Sequence, residues 1–146
     1  DIEEVFDINF YAPTLLSKYL IKAKRIPKGA SIVFLSSIDG PVTAHHANSI
    51  YAASKGAVSA MAKSMAMDLV SKKIRVNCVL PGMTETPLIH GEAFTDDDLE
   101  KDKNQYPLKR YGRPEEIAWG IIYFLSDASG FTTGAGLVVD GGFTVL

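Results

Sequence analysis

Three short apolar runs, each preceded by a longer stretch with a 3.6-residue apolar rhythm, restrict the fold of this chain more than any single motif. The first run, residues 31 to 36, carries Ile32, Val33, Phe34 and Leu35 between two serines and suits a strand buried on both faces. The second covers residues 74 to 80 and stops at Pro81 and Gly82, and the third covers residues 136 to 140 and closes at Gly141 and Gly142. Ahead of the first run, Ile2, Val5, Phe6, Ile8, Leu15, Leu16 and Leu20 predict a long amphipathic helix over residues 2 to 24, bent at Pro13. A second helix is expected over residues 50 to 71, with Ser49 as its N-cap and a face of small residues at Ala53, Gly56, Ala57 and Ala60. A third begins after Gly112 with Pro114 near its first position and runs to about Leu125. Thr95 followed by Asp96, Asp97 and Asp98 reads as an N-cap with carboxylates in the first turn, not as a metal site. The order helix, strand, helix, strand, helix, strand implies right-handed crossovers and an α/β fold with a doubly wound parallel sheet of about three strands. No repeat or linker divides residues 1 to 146, which read as one domain.

Parallel sheets of this kind bind ligands beyond the carboxyl ends of their strands, which directs attention to Ser36 and Ser37, to Pro81 and Gly82, and to Asp140. The rest of the composition removes several alternatives. With 47% apolar and 22% charged residues the chain is neither disordered nor collagen-like, and Cys78, the one cysteine, has no intramolecular disulfide partner. A net charge of -2 offers no footprint for nucleic acid or an anionic membrane. The longest apolar runs fall far short of a bilayer span, so a cytoplasmic protein is expected. His45, His46 and His90 have no second ligand set at metal spacing and read as solvated loop residues, and Cys78 reads as an inert core residue.

Tyr51 and Lys55 are four residues apart near the start of the second helix, so both project from one helical face. Such a pair is common by chance; its context is not. Ser36-Ser37-Ile38-Asp39-Gly40, Tyr51-Ala52-Ala53-Ser54-Lys55-Gly56 and the segment from Arg75 through Asn77, Pro81, Gly82, Thr84 and Thr86 occur in order. They are followed by Gly112-Arg113-Pro114-Glu115-Glu116, Thr133-Gly134 and Val139-Asp140-Gly141-Gly142. Together these segments resemble the short-chain dehydrogenase/reductase family along the whole chain.

The resemblance implies a Rossmann-like fold and an oxidoreductase that moves hydride between NAD or NADP and a small carbonyl or alcohol substrate. It implies that Tyr51 is the general acid/base, that Lys55 supports it and binds the nicotinamide ribose, and that Ser37 hydrogen-bonds the substrate oxygen. Asn9 falls where the family places an asparagine that holds a water in a proton relay. Pro81, Gly82, Thr84 and Thr86 would meet the nicotinamide end of the cofactor, and residues 83 to 106 would form a substrate-selecting lid. A homodimer or homotetramer is implied as well, with the long first and second helices pairing across one interface.

Two departures qualify the likeness. The interval from Ser37 to Tyr51 is one residue longer than the family's commonest spacing, which leaves Ser36 as a substitute for Ser37. The family's amino-terminal Gly-rich dinucleotide loop is absent, so the chain reads as the carboxyl-terminal portion of such a protein, and something upstream is expected. The alternative is a catalytically incompetent fragment acting only in folding or oligomerisation. A hydrolase is remote, because no Gly-x-Ser-x-Gly elbow accompanies Ser36 or Ser37.

Overall fold

A computed structural model describes residues 1–90 and 95–145. The chain opens with helix α1 (Ile2–Phe6), a π-helical turn over Asp7–Tyr11, and helix α2 (Ala12–Lys22). Strand β1 (Ser31–Leu35), helix α3 (Ser49–Leu69) and strand β2 (Arg75–Pro81) follow. Helix α4 (Asp96–Lys103), helix α5 (Pro114–Leu125) and strand β3 (Gly136–Val139) complete the order. The three strands form one parallel sheet in the order β1-β2-β3, with Ser31 opposite Arg75 and Cys78 opposite Gly136.

β2 lies at the centre, and its alternation divides the core in two. Val76, Cys78 and Leu80 pack with Val58, Ala62 and Ala66 of α3, while Val79 packs with Ile117 and Phe124 of α5 on the other face. Val58, Val76 and Val79 are almost wholly enclosed, each burial contributing about 1.5–3 kcal/mol. Gly120 lets α5 approach the sheet closely, since a β-carbon there would sit 3.2 Å from Leu137. Asn77 shares the α5 face, where its buried amide donates to Thr132 O at 2.9 Å and accepts from Ala135 N at 3.0 Å. It therefore secures the approach to β3, away from the strand end.

The carbonyls at the end of α5 would be orphans without partners. Phe124 O accepts from Ser31 Oγ, Arg75 Nη1 and Ser129 Oγ, and Ser126 O accepts from Arg75 Nη2. A guanidinium thus complements the helix dipole and ties α5 to the start of both neighbouring strands.

The first helix differs from the expected gentle bend. Pro13 has no N–H to give the Asn9 carbonyl its α-helical partner, and just ahead of it the ladder takes an extra residue, with Ala12 N–H bonding back to Asp7 O. Asn48, not Ser49, stands at the N-cap of α3. Thr95 does cap α4: its Oγ1 accepts from Asp98 N at 3.2 Å, and Thr95 N donates back to Asp98 Oδ2 at 3.2 Å. Among the described residues, no helix is long and apolar enough to cross a membrane.

Candidate active site

The site begins where β1 ends. Ser36 and Ser37 are both buried there, but their hydroxyls are used differently. Ser36 Oγ donates to Lys55 O at 2.8 Å and accepts from Ser59 Oγ at 2.9 Å, so it pins α3 to the strand and is committed to the core. Ser37 Oγ accepts from Asp39 N at 3.1 Å, which leaves its own hydrogen to donate. Of the two, Ser36 is the one tied to α3, and Ser37 the one that keeps a donor toward the site.

α3 presents Tyr51 and Lys55 on one face, with the ammonium 5.6 Å from the ring centroid. Lys55 Nζ donates to Leu35 O at 3.2 Å, next to the serine pair. Burial raises the Tyr51 phenol above its ordinary pKa, the nearby Ser37 hydroxyl lowers it, and the negative charge of Asp39 raises it further. Burial also holds the Lys55 ammonium below its usual value. Behind Tyr51, Asn9 Nδ2 donates to Ser54 Oγ at 3.1 Å, and Ser54 Oγ donates to Tyr51 O at 2.7 Å. The π-helical turn and α3 are thereby joined through one fully buried serine.

The opposite wall is the strap after β2. Gly82 packs so closely on the end of β3 that a β-carbon would lie 3.0 Å from Asp140 Cβ. Met83 N donates to the Tyr106 hydroxyl at 3.0 Å, Gly112 N to Met83 O at 3.0 Å, and Glu85 N to Gly112 O at 2.8 Å. Thr84 Oγ1 turns back to Gly82 O at 3.1 Å, and Thr86 O accepts from Ile89 N. Tyr106 is buried against Tyr111 and Phe143, and Phe143 stacks on His45 with ring centroids 5.5 Å apart. The expected lid over residues 83 to 106 is thus held at both ends. Phe94 lies outside the described residues, as do the side chains of Leu88 and His90.

With this geometry in place, the chain can be set against known proteins. A family profile described as enoyl-(acyl carrier protein) reductase matches residues 1–144. A short-chain dehydrogenase family protein from Francisella tularensis superposes with a TM-score of 0.90 at 37% identity, covering 100% of this chain and 64% of that one. The chain belongs to the short-chain dehydrogenase/reductase family. Among curated members, the 3-oxoacyl-(acyl-carrier-protein) reductase FabG of Thermotoga maritima is 35% identical over 99% of this chain and 58% of its own length. The NADP-dependent (R)-specific alcohol dehydrogenase of Lentilactobacillus kefiri is 44% identical over 80% of this chain and 46% of its own length. A 4-hydroxyisoleucine dehydrogenase complexed with NADH superposes with a TM-score of 0.89 at 33% identity, covering 99% of this chain and 60% of that chain. The chain thus spans roughly half to three fifths of the length of the curated relatives it matches.

Within this family member, the fold brings Asn9, Ser37, Tyr51 and Lys55 to one junction of the π-helical turn, β1 and α3. Pro81, Gly82, Thr84 and Thr86 lie across the sheet end on the strap. Reasoning from the sequence passed over Ser54, Ser59, Asp39 and Tyr106, all partners made by packing. His45 is an exposed loop residue as expected, with its side chain 42% accessible, but its Nδ1 also lies 2.5 Å from the buried carboxylate of Asp39. No local pattern carries that pairing. Cys78 is buried as expected, its thiol pushed up to about 11 by burial.

Proposed function

We propose that this chain carries the proton-handling and substrate-facing part of an NAD(P)-dependent oxidoreductase acting on a small carbonyl or alcohol, with Tyr51 as general acid/base. The observation that carries the reading is the single face of α3 on which Tyr51 and Lys55 meet Ser37 at the end of β1. The relatives named above, an NADP-dependent alcohol dehydrogenase and a dehydrogenase complexed with NADH, support a nicotinamide cofactor.

The residues fit the nicotinamide ribose end of such a cofactor. Among the described residues Lys55 donates to Leu35 O, and an ammonium carries three donors, so it can also hold ribose hydroxyls. Thr84 and Thr86, on the turn after Pro81 and Gly82, would face the nicotinamide end. When bound, the cofactor supplies or accepts the hydride.

The chain's own residues manage the proton. Tyr51 is a phenol at neutral pH, and burial only raises it further, so it is in the state that donates to a carbonyl oxygen during reduction. Ser37 donates its free hydrogen to the same oxygen as negative charge develops there. The phenolate left on Tyr51 would be stabilised by the Lys55 charge on the same face of α3. Acting as a base near neutrality requires a pKa lower by about 3 units, or about 4 kcal/mol in favour of the phenolate. Burial opposes that shift, so in the reverse direction the Lys55 charge and the positive ring of an oxidised cofactor would together have to supply it. Asn9, anchored through Ser54, would hold the relay water near Lys55.

We also assign the exposed apolar face formed by Ile8, Tyr11, Leu15 and Tyr19, with Met67 and Val70 at the end of α3, to a homodimer or homotetramer interface. Light scattering on the purified chain tests this, and a monomer at all concentrations removes it. The function is tested by NADH and NADPH titration of the expressed polypeptide, followed by carbonyl-dependent oxidation of the nucleotide that binds. Binding and turnover are expected. Failure to bind either nucleotide would leave the chain with the family's fold and without its chemistry.

A further inference from the structure

The segment between Ser37 and Tyr51 contains a buried acid that the chemistry above does not use. Asp39 is 6% exposed, and both carboxylate oxygens are engaged: Oδ1 with His45 Nδ1 at 2.5 Å, and Oδ2 with Asn48 Nδ2 at 2.5 Å. Asn48 is the N-cap residue of α3; its side chain makes no capping bond, and its Nδ2 donates to Asp39 instead. At the other end of the same residue, the Asp39 N–H bonds Ser37 Oγ. One residue therefore grips the strand end that carries Ser37 and the helix turn that carries Tyr51.

The loop around it is closed to match. Asp39 bridges Thr43, Gly40 N donates to Thr43 O at 2.9 Å, and Val42 and Thr43 both donate to Ile38 O at 3.0 Å. Gly40 has φ +92° and packs so tightly on α3 that a β-carbon would fall 2.1 Å from Ala52 O. The interval from Ser37 to Tyr51 is long, and these contacts are what hold its two ends in place.

We propose that Asp39 is a positioning residue: through His45 and Asn48 its carboxylate locks the end of β1 to the first turn of α3, and its N–H orients Ser37 toward Tyr51. The proposal rests on the roles given above to Ser37 and Tyr51. Breaking the clamp is costly on the Asp39 side, where a buried carboxylate would be left unpaired, while His45, 42% accessible, would regain water. The charged groups around Tyr51 are Lys55 on α3 and Asp39 after β1, and His45 is the group that faces Asp39.

The test separates position from charge. Tyr51 ionisation is read as the difference in phenolate absorbance between each protein and its Tyr51→Phe counterpart, and amide exchange is followed across residues 37 to 52. Asp39→Asn retains hydrogen-bonding atoms at both ends but removes the negative charge, so Tyr51 should titrate at lower pH while exchange stays near that of the unsubstituted chain. Asp39→Ala removes the clamp, and exchange across the segment should rise about tenfold or more while α5 is unchanged. Should Asp39→Ala fail to fold, Asn48→Ala cuts one arm only, and faster exchange at the first turn of α3 with an unmoved Tyr51 titration is then expected. Unchanged exchange in Asp39→Ala overturns the clamp, and does so even if Tyr51 shifts, because Asp39 would then act only as a nearby charge. Full turnover in Tyr51→Phe would instead strike the role of the tyrosine, and leave the exchange result to stand or fall separately.

Discussion

The two walls of the site are built on opposite plans. At the junction of the π-helical turn, β1 and α3, the polar side chains are satisfied inside the core: Asn9 by Ser54, Ser54 by Tyr51 O, Ser36 by Lys55 O, and Ser59 by Ser36. Across the sheet end, the strap from Gly82 to Gly112 is held by a few anchors. Ile89, Leu99, Tyr106 and Tyr111 form its own small cluster, and the polar face of α4 is solvent-exposed. The first wall carries Ser37, Tyr51 and Lys55 on elements that cannot shift without breaking buried bonds. The described residues of the second rest on one small apolar cluster and the Met83–Tyr106 bond, so a change there is expected to cost less.

The largest expected effect would come from the rigid wall. Tyr51→Phe keeps the ring and removes the hydroxyl, so turnover should fall about 10²–10⁴-fold with nucleotide affinity nearly intact, and near-normal kcat would remove the tyrosine from its role. Lys55→Ala, by contrast, should damage both nucleotide binding and rate. Tight nucleotide binding in that variant would contradict the ribose contact.

Gly40→Ala tests how rigid the wall is. A β-carbon meeting Ala52 O at a positive φ should cost about 3 kcal/mol or more, measured by urea unfolding. A cost near zero would mean the loop adjusts freely. Ser54→Ala should cost about 1–3 kcal/mol, because the Asn9 amide loses its buried acceptor.

On the strap the changes should be smaller and different in kind. Tyr106→Phe deletes the acceptor of the Met83 N–H and should cost about 1 kcal/mol, raising KM more than it lowers kcat. An equal fall in kcat without a change in KM would erase the distinction between the walls. The smallest effect concerns Glu116, whose carboxylate is held at about 2 by paired bonds from Arg110 at 2.7 and 2.8 Å and by the Arg113 N–H. Because its folded value lies below the ordinary 4.5, its contribution is present above that pH and is lost as pH falls toward 2. Thermal midpoints of Glu116→Gln should be flatter across that window than those of the unsubstituted chain.

Much of this was legible along the chain. The strand positions, the parallel order and the capping of α4 by Thr95 follow from periodicity and from groups within one turn of each other. The pairing of Tyr51 with Lys55 is of the same kind. His45 illustrates the limit: its bond to Asp39 depends on a turn closed by Gly40, Thr43 and Ile38, and nothing in the spacing of the two residues distinguishes it from solvated loop. The choice between Ser36 and Ser37 was equally undecidable, since it turns on Ser59 and Lys55 arriving from α3.

The sequence by itself determined which segments are strands and helices, which face of each is apolar, and that a phenol and an ammonium share one helical turn. Those are consequences of fixed periods, 2.0 and 3.6 residues, acting between near neighbours. Only the tertiary structure decided which serine hydroxyl is tied to α3, that Asn9 reaches Ser54 across 45 residues, and that Tyr106 holds Met83 across 23. Such partners meet because packing removes water from both of them, and a buried donor must then bond whatever acceptor the fold has brought within reach.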